Sequence, residues 1–168
     1  MYNEMKLRFK AISENEAFAR ITISAFIASL NPTLEEIADV KTAVSEAVTN
    51  AIVHGYEEKG GIIELSAAYK EGQLIIRVCD RGVGISNIEE ALQPFYTTAG
   101  DKERSGMGFS FMEAFMDELR VLSKPASGTI VIMKKNLEDK SKTDIDTDLY
   151  IGTDNEAEQR SNQRADIK

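Results

Sequence analysis

The chain has 168 residues, with 20 Lys and Arg against 28 Asp and Glu, a net charge of −8, one His, one Cys and no Trp. That length suits one domain with its own apolar core, while one Cys and one His supply neither an internal disulfide nor the ligand set of a structural zinc site. The acidic balance and the lack of a basic run argue against direct nucleic-acid binding.

The polar N-terminal residues lead into an alternating stretch rather than an apolar signal segment. No run of about 18 apolar residues follows, so neither secretion nor a membrane span is expected and the chain reads as cytoplasmic. Met5, Leu7 and Phe9 alternate with Lys6, Arg8 and Lys10, the period of a half-buried strand. Ser13 and Glu16 have the spacing of a capping box, and Ala17, Phe18, Ile21 and Ala25 make one face of a helix running to about Leu30. After Asn31-Pro32, Thr33 and Glu36 can cap a second helix, with Leu34, Ile37, Val44, Val48, Ala51 and Ile52 at helical spacing up to Gly55.

Gly60-Gly61 opens a strand with Ile63, Leu65, Ala67 and Tyr69 on one side, and Glu71-Gly72 turns it into a second strand from Leu74 to Asp80. Periodicity fails from Gly82 to about Ser105, and a connection of that length in a small domain usually has a functional role. Phe109, Met112, Phe115 and Met116 give a further helix. Leu119 to Leu122 and Ile130 to Met133 give two closing strands around the turn-like residues 123–128. From Glu138 to Lys168 no apolar periodicity survives and a largely disordered tail is expected. Residues 137–168 hold 5 basic and 9 acidic residues, half of the net charge. The element order predicts an α/β two-layer sandwich in residues 1–137, a mixed, mostly antiparallel sheet with helices on one face.

Glu46, Asn50 and His54 are four residues apart and form one stripe of the second helix. Taken alone the stripe reads as a solvated polar face, although Ala43 and Val53 within it fit the wall of a pocket better. His54 could equally cap carbonyls at the helix end. Strict alternation places Leu74, Ile76, Val78 and Asp80 on one side, so an apolar strand face ends in a carboxylate. Asp80 is either a turn residue or an acceptor at the mouth of an apolar pocket, suited to a planar ligand such as a purine amino group. Gly82 and Gly84 follow it in a tight turn. Gly106 and Gly108 precede a helix N-terminus, where N–H groups and the helix dipole favour phosphate oxygens. Neither a P-loop nor GxGxxG is present.

Each of these boxes is weak alone. In order, Glu46-x-x-x-Asn50, Asp80-x-Gly82-x-Gly84, the long connection and Gly106-x-Gly108 resemble the motifs of the ATPases grouped with gyrase, heat-shock chaperones, histidine kinases and MutL. Within that superfamily the chain resembles the serine-kinase anti-sigma factors of endospore-forming bacteria. The segments that carry the likeness are residues 45–56, 80–85, 94–98 and 104–109.

The resemblance implies the Bergerat-type ATP-binding fold. It makes Asp80 the acceptor for the adenine amino group, Gly82 and Gly84 the points where backbone approaches base and ribose, and residues 85–105 a lid over ATP. It implies Asn50 as a Mg²⁺ ligand, Gly106 and Gly108 as phosphate binders and Glu46 as the catalytic base, while Arg104 beside Gly106 reads either as a stabiliser of the γ-phosphate or as a solvated lid arginine. The acceptor would be a serine of an anti-anti-sigma protein, the second partner a sporulation sigma factor, and the chain a homodimer; the sequence says little of the sigma-docking surface, and Arg20 on the first helix reads as a docking residue or as ordinary surface charge. Two alternatives stay open: a nucleotide-dependent sigma-binding module that transfers no phosphate, and a histidine-kinase-type catalytic domain. A gyrase-type or MutL-type ATPase would need a transducing domain for which the chain has no room.

Overall fold

The structure, a computed structural model, describes residues 2–94 and 106–137. Arg104, the rest of the segment 95–105 and the tail expected from residue 138 lie outside the described residues. Five strands form one sheet in the order β1-β2-β3-β5-β4: β1 (Tyr2–Lys10), β2 (Ile62–Lys70), β3 (Gln73–Cys79), β4 (Glu118–Lys124) and β5 (Gly128–Asn136). All four strand pairs are antiparallel. The hairpin between β2 and β3 turns at Glu71 and Gly72, whose φ angles are +52° and +87°. Two successive positive values are what a tight hairpin connection of matching twist requires.

Helices α1 (Glu14–Ala28), α2 (Leu34–Asn50) and α4 (Gly108–Phe115) contribute to the core that covers one face of the sheet, and α2 packs between α1 and α4. A short α3 (Ile88–Ala91), capped by the Asn87 side chain on the Glu90 N–H, interrupts the stretch expected to be a loop. The core joins Ile63, Leu65, Leu74, Ile76, Val78 and Met133 of the sheet to Val40, Val44 and Val48 of α2 and Met112 of α4. This is the expected two-layer sandwich. The capping box of α2 is present in both directions: the Glu36 N–H donates to Thr33 Oγ1 at 3.0 Å and the Thr33 N–H to Glu36 Oε2 at 2.6 Å. Lys135 of β5 ties both layers together, donating to Asp39 of α2 at 2.9 Å and to the Phe115 carbonyl at the end of α4 at 2.7 Å. A cation there also opposes the negative end of the helix dipole.

Three local expectations are corrected. Ser13 has helical φ and ψ of −57° and −36° and its side chain caps nothing, because an N-cap needs the extended region. Glu16 instead accepts from Ser45 Oγ at 2.6 Å and pairs with Arg20 at 3.7 Å. The buried face of α1 is Ala19, Ile23 and Ile27, whereas Phe18 and Ile21 of the expected face are 50% and 66% exposed. Apolar residues occur on nearly every side of α1, so spacing alone offers two competing stripes. Leu34, expected on the inner face of α2, is 87% exposed at the first helical position, and that face begins at Ile37.

Candidate functional site

The site grows from the end of α2. The helix does not stop at Asn50 but widens into a π-helical turn, Ala51–Gly55, closed by the Tyr56 N–H on the Ala51 carbonyl at 2.9 Å. Such turns redirect side chains, and they concentrate at functional sites. Glu46, Asn50 and His54 all line one cleft of about 740 Å³, together with Asp80, Gly84, Gly106 and Gly108. Its walls are completed by Val53, Val78, Ile85, Phe109 and Val131. An apolar body with a few convergent polar groups is the composition of a small-molecule site. A second cleft, of about 820 Å³, opens on the other face of the sheet. It lacks Glu46 and Asn50 but shares the Asp80 wall.

Asp80 follows the last residue of β3 and is 8% exposed. Its Oδ1 accepts from the Gly82 N–H at 2.8 Å and the Thr129 N–H at 3.2 Å. Burial raises its pKa, and these two bonds oppose the rise. The Asp80 N–H in turn donates to the Thr129 carbonyl at 2.9 Å, so β5 holds the residue from both sides. Around it, chain segments approach closely at glycines. A Cβ on Gly55 would lie 3.1 Å from the Asp80 carboxylate, and one on Gly128 would lie 2.2 Å from the Asp80 carbonyl oxygen.

Opposite Asp80 along the cleft, the start of α4 lies against α2. A Cβ at Gly108 would fall 3.0 Å from Glu46 Oε2 and 3.2 Å from Asn50 Nδ2. The glycine thus brings the helix N-terminus, with its unsatisfied N–H groups, directly over the carboxylate and the amide. Glu46 is half-buried, and its pKa is raised first by desolvation and then by the nearby Glu16 carboxylate. Glu16→Gln removes the second cause and leaves the first. Activity that needs an ionised Glu46 rises with pH through this raised pKa, so the acidic limb of the Glu16→Gln variant is expected at lower pH. A pH–rate profile of both proteins checks the direction; an unmoved limb would remove Glu46 as the group it reports.

Of the residues singled out from sequence, Glu46, Asn50, Asp80, Gly84, Gly106 and Gly108 share this cleft. Gly82 does not line it: a Cβ there would lie 1.9 Å from the Gly55 carbonyl oxygen, so its smallness serves packing of the turn on the π-helical segment. Three positioning residues escape sequence reasoning. Thr129 lies one residue before the expected strand, yet it holds Asp80. Tyr56 accepts from the Arg81 N–H at 2.9 Å and donates to the Ile62 carbonyl at 2.7 Å. Ser123 Oγ accepts from the Ile85 N–H at 2.8 Å, fixing the far side of the glycine turn.

Residues 9–135 match the family model of the histidine kinase-like ATPase domain, which is the class that this fold and cleft define. The anti-sigma F factor of Clostridium acetobutylicum is 58% identical over 133 residues, 79% of this chain and 93% of that protein. The anti-sigma F factor of Halalkalibacterium halodurans is 54% identical over 138 residues, 82% of this chain and 94% of that protein. Among solved structures, 32% of the chain that holds the RsbU and RsbW domains of Rv1364c from Mycobacterium tuberculosis shares the fold with 80% of this one, with a TM-score of 0.58 and 22% identity. The chain belongs to the anti-sigma F factor family.

Proposed function

We propose that the protein binds ATP in this cleft, transfers its γ-phosphoryl group to a serine of an anti-anti-sigma protein, and holds a sporulation sigma factor when that partner is absent. The observation that carries the reading is the meeting of Glu46 and Asn50 with the α4 N-terminus at one end of a cleft whose other end is Asp80. The second carboxylate oxygen of Asp80 would accept from the adenine amino group. The N–H groups that open α4 would receive phosphate oxygens.

Glu46 would take the proton from the serine hydroxyl as the serine Oγ–phosphorus bond forms. The bond from phosphorus to the bridging oxygen breaks, and ADP leaves with that electron pair. The raised pKa brings Glu46 closer to the working pH of a general base. Among the described residues no three His, Cys, Asp or Glu side chains cluster to hold a metal ion. Mg²⁺ keeps water and phosphate oxygens and takes few protein ligands, a demand that a single amide oxygen beside the α4 N-terminus would meet. Asn50 would supply the amide oxygen, and the ion would neutralise phosphate charge.

Sigma binding, a cytoplasmic homodimer and sporulation control are proposed from the family. No helix among the described residues is long and apolar enough to cross a membrane. Incubation with γ-labelled ATP, Mg²⁺ and a candidate anti-anti-sigma protein tests the transfer. Label on a partner serine is expected. Tight nucleotide binding with no label transferred would favour a nucleotide-dependent sigma-binding module, and label on histidine a histidine-kinase-type domain.

A further inference from the structure

The sheet face that carries no helices has a charge opposite to that of the chain. Register places Arg8, Glu64, Cys79, Ile130 and Leu122 in one row across it, and Lys6, Ser66, Arg77, Ile132 and Arg120 in the next. Those rows hold four cations and one carboxylate, Glu64, which is engaged by Lys6 at 2.9 Å and more loosely by Arg8 at 4.0 Å. Arg81 and Lys124 add two more cations at the rim of the 820 Å³ cleft, whose apolar lining includes Ile62, Leu122 and Ile130. A cationic surface with an apolar floor, on a chain of net charge −8, calls for an acidic and partly apolar ligand.

The chain itself contains such a ligand. Residues 144–158 carry Asp144, Asp146, Asp148, Asp154, Glu156 and Glu158, no Lys or Arg, and the apolar side chains of Ile145, Leu149, Tyr150 and Ile151. In extended backbone the Asp144-Ile145-Asp146-Thr147-Asp148 alternation puts three carboxylates on one side. The described chain ends at Leu137, whose N–H donates to the Gly72 carbonyl at 2.8 Å, at the opposite end of β3 from Cys79. Residues 138–143 have a maximum span of about 20 Å, close to the length of the seven-residue β3, which is enough for the acidic segment to reach the cleft.

We propose that residues 144–158 dock on the open face of the sheet, with carboxylates on Arg8, Arg77, Arg81, Arg120 and Lys124 and with Leu149 and Tyr150 in the cleft. Attachment to the same chain makes the contact intramolecular, so weak individual ion pairs suffice. The test is a photo-cross-link in the full-length chain with p-benzoylphenylalanine in place of Tyr150. Irradiation followed by peptide mass spectrometry is expected to give one dominant cross-link within the chain, to β3, β4 or β5 residues of the open face. Asp144→Lys with Asp146→Lys and Asp148→Lys leaves the domain untouched and should lower its yield about fivefold, as should about 0.5 M salt by screening. Cross-links spread over the helical face, cross-links between chains, no cross-link, or a yield unchanged by the three lysines would each overturn the docking.

Discussion

Glu46→Ala will lower phosphoryl transfer to the partner serine by about a hundredfold or more, the range for loss of a positioned general base. Nucleotide affinity should stay within about threefold, under 1 kcal/mol. The expectation rests on where the carboxylate lies: 3.0 Å from the position of a Gly108 Cβ, at the end of the cleft away from Asp80. It therefore lies beside the α4 N-terminus, where the proposed binding mode puts the phosphates rather than the base. Glu46→Gln keeps the size and the hydrogen-bonding capacity but cannot take a proton, so its rate should fall nearly as far as that of Glu46→Ala. Asp80→Ala should behave in the opposite way, losing affinity first, because in the proposed binding mode its carboxylate would accept from the base at the other end of the cleft. Single-turnover transfer and equilibrium nucleotide binding measured on all three variants separate the roles. Undiminished transfer by Glu46→Gln would leave positioning and charge neutralisation as the whole mechanism.

What was legible in the sequence was what short-range pattern encodes. The alternation from Leu74 to Val78 projects Asp80 onto the inner side of β3, and the structure buries it there. Thr33 and Glu36 announce their capping box because every group in it lies within four residues. The inner face of α1 was not legible, since Phe18 and Ile21 compete with Ile23 and Ile27 on a helix that is apolar on most sides, and only the layer beneath decides between them. The π-helical turn at Ala51–Gly55 leaves no mark in composition; it follows from how the end of α2 is fixed against the turn after β3, where the Val83 N–H donates to the Gly55 carbonyl at 2.8 Å. Thr129 carries no mark in the sequence for a similar reason. Its part in the site is a backbone bond to a residue 49 positions away, which side-chain identity does not reveal.

Gly82 separates a ligand role from a structural one most sharply, and Gly82→Ala should destabilise the free protein by about 3 kcal/mol, the cost of overpacking a site that cannot give way. The atoms that an added methyl would meet are the carbonyl oxygen and carbon of Gly55, at 1.9 and 2.3 Å. Both belong to backbone, and that carbonyl is held by the Val83 N–H. Relief would require the turn to leave the π-helical segment, breaking this bond and the Gly82 N–H bond to Asp80 Oδ1. Thermal unfolding without nucleotide should show a melting temperature lower by about 10 °C. Nucleotide binding should weaken as a consequence, through a displaced Asp80. If Gly82 instead gave room only to a bound base and ribose, the alanine variant would melt at the wild-type temperature and lose affinity alone. The melting curve of the nucleotide-free protein therefore decides between packing on Gly55 and contact with ligand.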